Sequence, residues 1–256
     1  MTQHNKPVAL VTGGAKRIGA AIVQDLAAQG FAVAIHANTS HAEAEAMATH
    51  IKQDGGSAAA VFGDLTDTSR VANLVDEAAS ALGPVQILVN CASVFQPDSA
   101  RAPDMAHWAA HFAVHLTSPA LLSARMVERL PAGLDGLIVN VIDQRVWRLT
   151  PHFYSYTLSK SALWTATQTM AMAFAPHVRV NAIGPGPTLA NERQDPADFQ
   201  AQVDAVPLRR APELSEFGAT VRYLWAARSV TGQMIALDSG QHFGVGKRLT
   251  VLNANE

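Results

Sequence analysis

From residue 7 onward the chain alternates two kinds of pattern. Short, nearly continuous apolar runs such as PVALVT, FAVAIHA and AAAVFGD are separated by longer stretches, IGAAIVQDLAAQG and HAEAEAMATHIKQDGG, whose apolar residues recur every three or four positions. The first kind suits strands buried on both faces and the second amphipathic helices, so their alternation predicts βαβ crossovers and a parallel sheet. Four more strand-like runs follow, QILVNCAS, LDGLIVNVID, HVRVNAIGPG and QMIALDSG, with helical periodicity around residues 105–130, 154–175 and 212–227. The pattern predicts an α/β fold, a doubly wound Rossmann sheet of seven parallel strands with helices on both faces, as a single domain over residues 1–256. Gly30 stands where a helix C-cap belongs, and Ser40 is placed to cap a helix with Glu43 and Glu45 in its first turn. Residues 187–211, rich in Pro, Asp, Arg and Gln, lack periodicity and are expected to form a loop that borders a substrate. Glu192 and Arg193 within it read as solvated charges.

Composition narrows the partners. Hydrophobic residues make up 48% of the chain and charged ones only 16%, which excludes disorder and hints at surface buried in an oligomer. With 19 Lys+Arg against 21 Asp+Glu, the net charge of -2 supplies no basic field for a phosphate backbone, so nucleic acid is not an expected partner. No apolar run approaches the roughly 18 residues of a membrane span, and the first apolar stretch, Val8 to Val11, is too short for a signal-peptide core. The single cysteine, Cys91, points to a reducing compartment. A cytoplasmic protein acting on a small molecule is the expectation.

The segment between the first strand and first helix, Thr12-Gly13-Gly14-Ala15-Lys16-Arg17-Ile18-Gly19, puts glycines at the turn and at the helix start. Backbone N–H groups and the positive helix end can then cradle a pyrophosphate, which predicts a bound dinucleotide. An enzyme preferring NAD offers a carboxylate to the ribose hydroxyls about 20 residues beyond this loop. Here that stretch reads His36-Ala37-Asn38-Thr39-Ser40, while Lys16 and Arg17 add two cations beside it. A 2'-phosphate would be drawn to the cations and bonded by the Asn, Thr and Ser side chains, so NADPH is favoured over NADH. Further on, Tyr156 and Lys160 lie four apart and share a helix face, and a nearby cation is expected to lower the phenol's pKa for proton transfer. The strand before that helix ends in Asp143.

Taken together these motifs resemble the short-chain dehydrogenase/reductase family over nearly the whole chain. The resemblance rests on the loop Thr12 to Gly19, Asp64 after the third strand, Asn90-Cys91-Ala92-Ser93 after the fourth, and Tyr156 with Lys160. Pro185-Gly186 and Leu237-Asp238-Ser239-Gly240 complete it. It implies a seven-stranded Rossmann fold, nicotinamide-dependent reduction with Tyr156 as proton donor and Lys160 on the nicotinamide ribose, and assembly as a dimer or tetramer. It also implies cofactor contacts from Gly13, Lys16, Arg17, Ile18, Gly19, Asn38, Thr39, Ser40, Asp64, Leu65, Asn90, Ala92, Ser93, Tyr156, Lys160, Pro185, Gly186 and Thr188.

Two positions depart from the family's catalytic tetrad: Asp143 replaces the serine and His115 the asparagine, giving a catalytic set of Tyr156, Lys160, Asp143 and His115. An ionised aspartate only accepts hydrogen bonds, which makes simple ketone reduction less natural. Asp143, Arg17, the segment around Asn38 to Ser40 and Phe95 are similar to the pteridine reductase and dihydromonapterin reductase branch, where a C=N bond is reduced. That likeness implies substrate contacts from Arg17, Ser93, Phe95, Asp143 and Tyr156, with Phe95 stacked on a pterin. A carbonyl or 3-oxoacyl reductase, and a protein that senses NADPH without catalysis, remain open as alternatives. His107, His111 and His115 recur every four residues but lack an HExxH partner, so no metal is expected. Cys91 reads as a small buried residue, and no GxSxG elbow supports hydrolase chemistry.

Overall fold

A computed structural model describes residues 7–190 and 195–244. Seven parallel strands form one sheet in the order β3-β2-β1-β4-β5-β6-β7. They are β1 (Val8–Val11), β2 (Ala32–Ala37), β3 (Ser57–Phe62), β4 (Val85–Asn90), β5 (Gly136–Val141), β6 (Val178–Pro185) and β7 (Met234–Leu237). Every residue of β1, β2 and β5 is buried, as strands covered on both faces require. One apolar layer joins Val11, Ile35 and Val89 of the sheet to Ile22 and Leu26, and to Phe217, Val221 and Leu224. The other joins Leu10, Leu88 and Ile138 to Leu74, Leu122 and Met126. The expected α/β architecture is present.

The helices are α1 (Arg17–Ala28), α2 (His41–Gln53), α3 (Asn73–Leu82), α4 (Met105–Phe112), α5 (Ser118–Arg129), α6 (Tyr154–Ala173), α7 (Pro196–Ala205) and α8 (Leu214–Ala226). Gly30 follows α1 with φ of 87°, as its place after a helix end demands. Ser40 does occupy the position before α2, but its side chain makes no capping bond, and only Glu43 falls in the first turn. The helix expected over 105–130 is broken by a π-turn, Ala113–Thr117. Pro119, in the first turn of α5, has no N–H to give the carbonyl of His115, and the ladder widens so that Ser118 N–H reaches back to Ala113. α3 went unread in the sequence. The stretch 187–211 is not wholly irregular either: Asp195 accepts the Ala197 N–H at 2.7 Å and Pro196 starts α7. Glu192 and Arg193 lie outside the described residues. No described helix is long and apolar enough to cross a membrane.

Candidate active site

Strand order reverses direction between β1 and β4, and the carboxyl ends there open onto a cleft of about 1000 Å³. An open α/β sheet holds its ligand at such a point. Thr12 ties the end of β1 to the end of β4, its hydroxyl oxygen accepting the N–H groups of Cys91 at 2.9 Å and Ala92 at 3.1 Å. Gly13, with φ of 63°, lies so near Ala92 that a Cβ would stand 2.9 Å from the Ala92 Cα. A Cβ on Gly19 would stand 2.1 Å from the Gly13 carbonyl oxygen. Only glycine fits at either position. Arg17, Ile18 and Gly19 line the cleft with first-turn N–H groups that have no acceptor within α1, which makes a cradle for an anion.

Beneath this loop sits His36, a residue to which the sequence reading gave no role. Its Nδ1 accepts the Gly13 N–H at 3.2 Å and its Nε2 donates to the Gly63 carbonyl at 3.0 Å, which fixes a neutral tautomer. Burial holds its pKa below the usual histidine value. Asn38, Thr39 and Ser40 line the same end of the cleft. Lys16 there pairs with Glu43 at 2.8 Å. Arg17, in a left-handed conformation with φ of 54°, donates to the Ala190 carbonyl at 3.0 Å and the Leu189 carbonyl at 3.2 Å. Both cations therefore lean on protein partners.

At the other end, Tyr156 Oη donates to Asp143 Oδ2 at 2.9 Å, while Asp143 Oδ1 accepts the Arg145 N–H at 2.8 Å. Burial and the Asp143 carboxylate push the Tyr156 pKa well above its ordinary value, outweighing Arg145 and Ser93, which work the other way. The expected lowering by Lys160 does not occur here. The Lys160 ammonium lies 5.8 Å from the phenol ring centre and donates to the Val141 carbonyl at 2.8 Å; burial brings its own pKa down to about 8. Tyr156 thus keeps its proton at neutral pH. Phe95 stacks on Phe153 with ring centres 4.2 Å apart and makes a T-shaped pair with Tyr156, ring centres 4.7 Å apart. The Arg145 guanidinium lies over both phenylalanine rings, at 5.9 and 5.3 Å.

A family model described as short chain dehydrogenase matches residues 7–200. The chain belongs to the short-chain dehydrogenase/reductase family. A crystal structure of FolM alternative dihydrofolate reductase 1 from Brucella canis, complexed with NADP, is 57% identical and covers 96% of this chain and 98% of its own, with a TM-score of 0.93. The protein of the same description from Brucella suis, also with NADP, is 58% identical over 96% of this chain and 98% of its own, with a TM-score of 0.92. A 3-oxoacyl-[acyl-carrier-protein] reductase of Synechocystis is 28% identical, covering 94% of this chain and 98% of that one.

In this short-chain reductase every residue expected at the site lines the cleft except Asn90 and His115. Asn90 lies in the sheet, its amide donating to Asn140 Oδ1 at 2.8 Å. His115 stands behind the cleft wall: Nε2 accepts the Val94 N–H at 3.2 Å and Nδ1 faces Ser159 Oγ at 2.8 Å. His111 has matching partners, its Nε2 accepting the Gln96 N–H and its Nδ1 facing Ser155 Oγ. Cys91 is half-buried, packing against the apolar layer of Val11 and Val89 while it also lines the cleft, and burial pushes its thiol up to about 11. Gln144, Arg145, Phe199 and Gln202 also line it and were not foreseen. Gln144 and Arg145 follow Asp143 directly, and that adjacency was the available signal; Phe199 and Gln202 come from α7, inside the stretch 187–211 expected to border a substrate, where only the start signal Asp195-Pro196 marked a helix.

Proposed function

We propose that this short-chain reductase uses NADPH to reduce a C=N bond of a pterin of dihydropteridine, dihydromonapterin or dihydrofolate type, with Tyr156 as proton donor. The observation that carries the reading is the 2.9 Å hydrogen bond from Tyr156 to Asp143. A carboxylate cannot donate to a ketone oxygen as a serine hydroxyl would, whereas the amino and ring N–H groups of a pterin offer it donors. The dihydrofolate reductases of Brucella, 57% and 58% identical and held with NADP, support both the substrate class and the cofactor.

The residues present fit the cofactor. Gly13 and Gly19 let the loop close tightly on Ala92 and on itself, and the first-turn N–H groups of α1 offer a pyrophosphate its donors. The polar triplet Asn38 to Ser40, with Lys16 and Arg17 nearby and no carboxylate among residues 36–40, suits a 2'-phosphate. Asp64, Leu65, Ala92, Ser93, Pro185, Gly186 and Thr188 line the path between, and Lys160 serves the nicotinamide ribose. When bound, the reduced nicotinamide supplies the hydride. Phe95, backed by the buried Phe153, presents to the cleft an aromatic wall against which a flat heterocycle packs. Asp143 accepts substrate N–H groups and orients the Tyr156 hydroxyl. As hydride reaches the ring carbon, the ring nitrogen becomes far more basic than a phenolate, so Tyr156 gives up its proton despite a raised pKa. Asp143, which lines the cleft, returns a proton to Tyr156 from solvent. Leu189 and α7 border the substrate side. Assembly as a dimer or tetramer, supported by exposed Trp147, Leu149 and Phe243, and residence in the cytoplasm belong to the same reading.

The test is NADPH oxidation, beside NADH, by the purified protein with dihydropterins, dihydrofolate, simple ketones and a 3-oxoacyl thioester. Expected is pterin turnover with NADPH that falls at least about 100-fold in Tyr156→Phe, about 2.7 kcal/mol of transition-state stabilisation, and that is lost in Asp143→Ser. Turnover of carbonyls alone sinks the pterin assignment. Tight cofactor binding without any turnover makes the protein a sensor.

A further inference from the structure

Two stacked imidazoles stand behind the catalytic wall, 5.6 Å apart between ring centres, and the mechanism above does not use them. His111 and His115 are fully or almost fully buried. Each bridges the same two elements. On one side His115 Nε2 accepts the Val94 N–H at 3.2 Å and His111 Nε2 accepts the Gln96 N–H at 3.2 Å. These two bonds bracket Phe95, and Ser93 Oγ lies 3.0 Å from His115 Nε2 as well. On the other side His111 Nδ1 meets Ser155 Oγ and His115 Nδ1 meets Ser159 Oγ, both at 2.8 Å. Ser155 and Ser159 each precede a catalytic residue, Tyr156 and Lys160, by one position on α6. A repeat of four on the α4 and π-turn segment therefore matches a repeat of four on α6.

We propose that His111 and His115 are positioning residues that clamp the substrate wall at residues 93–96 to the Tyr156 helix, and that the clamp closes only while both rings are neutral. The inference rests on the reductase reading above. A nitrogen that accepts a backbone N–H carries a lone pair, so in each ring the proton sits on Nδ1 and is donated to the seryl oxygen. Ser159 passes the chain on, donating to the Tyr156 carbonyl at 2.8 Å. Protonation would set an Nε2–H against the N–H of Val94 or Gln96, two donors facing each other, and release the wall that carries Phe95. The groups facing these rings are Asp98 in the loop, His107 on the same helix, and Tyr156 and Lys160 on α6. Asp98 favours the imidazolium of His111, while burial and the Lys160 ammonium oppose it in both rings.

Nitrogen-15 NMR of histidine-labelled wild type needs no substrate and reads the tautomers. Expected are two neutral Nδ1–H rings at about pH 7.5 that titrate below the free-histidine value of about 6.5. The KM for dihydropterin then rises at least about tenfold as they titrate, the effect of losing one well-placed hydrogen bond. At about pH 7.5, His111→Leu and His115→Leu raise this KM by a similar factor, more than they change kcat, with NADPH dissociation constants within about twofold of wild type. His115→Gln, which offers a non-titrating acceptor, recovers most of the KM and flattens its acid limb. Rings found as Nε2–H or charged at neutral pH, or leucine variants with wild-type KM, overturn the clamp. If the wild type reduces only a carbonyl, the pterin reading fails, and the same KM comparison with that carbonyl decides the clamp.

Discussion

At the scale of single residues, the site is a set of small conflicts between charge and partner. Lys16 lines the end of the cleft proposed to take a 2'-phosphate, yet it is tied to Glu43 on the first turn of α2, and the Glu43 carboxylate is held below its usual pKa chiefly by that bond. Removing the competitor should help the cofactor. Glu43→Gln is expected to tighten NADPH by about two- to fivefold, as exposed ion pairs are weak, and to leave NADH unchanged; fluorescence titration of both nucleotides checks it, and equal effects on the two would deny Lys16 any part in phosphate recognition. That Tyr156, Lys160, Asp143 and the glycine loop would come to one cleft was legible from the chain. Their couplings were not. Tyr156 has a raised pKa because it is buried and Asp143 is 2.9 Å away, while Lys160 is turned to a backbone carbonyl, and no spacing of four conveys which way a lysine turns.

At the scale of elements, patterns of apolar residues were read well where they were long and bounded, and poorly where the signal was an end. Strands and α1, α2, α6 and α8 follow their periodicity, while α3 begins at Asn73 after an Ala72 that makes no side-chain cap. α7 did carry a start signal, Asp195-Pro196, hidden in a polar stretch that reads as loop. The end of α8 is closed by a residue distant in sequence. Arg179 on β6 donates from Nη1 to the carbonyls of Leu224, Ala227 and Val230, at 2.6, 3.1 and 3.2 Å, and from Nη2 to Trp225 at 3.0 Å. These satisfy the carbonyls a helix terminus leaves without partners. Arg179→Leu is expected to cost about 2–3 kcal/mol, since hydrogen bonds to a charged group are the strong ones. Calorimetry should then show the thermal midpoint lower by about 4–12 °C. An unchanged midpoint would mean that solvent replaces the guanidinium without loss.

At the scale of the whole molecule, the fold keeps three histidines neutral in its interior: His36 under the glycine loop, and His111 and His115 behind the catalytic wall. Burial is the largest cause of the lowered pKa in each. Unfolded, these rings take up protons near pH about 6.5, whereas the folded protein refuses them until lower pH. Stability from them is thus fully present above about pH 6.5 and is lost as pH falls through the folded values, because the unfolded chain then binds more protons. Urea midpoints are expected to be level around neutrality and to fall below about pH 6.5, with less loss in His36→Gln. An acid limb unchanged by that substitution would assign the loss to other groups. The sequence by itself determined the parallel α/β layering, the glycine loop and the placing of Tyr156 and Lys160 on one face of a helix beside the cleft, because buried strands, close backbone approach and helical spacing each demand particular residues at local intervals. Only tertiary structure decided that His36 underpins Gly13, that Arg179 closes α8, and that His111 and His115 join the wall to α6. Those contacts unite residues from 15 to 51 positions apart, and nothing in a local pattern records which distant backbone groups a buried side chain will meet.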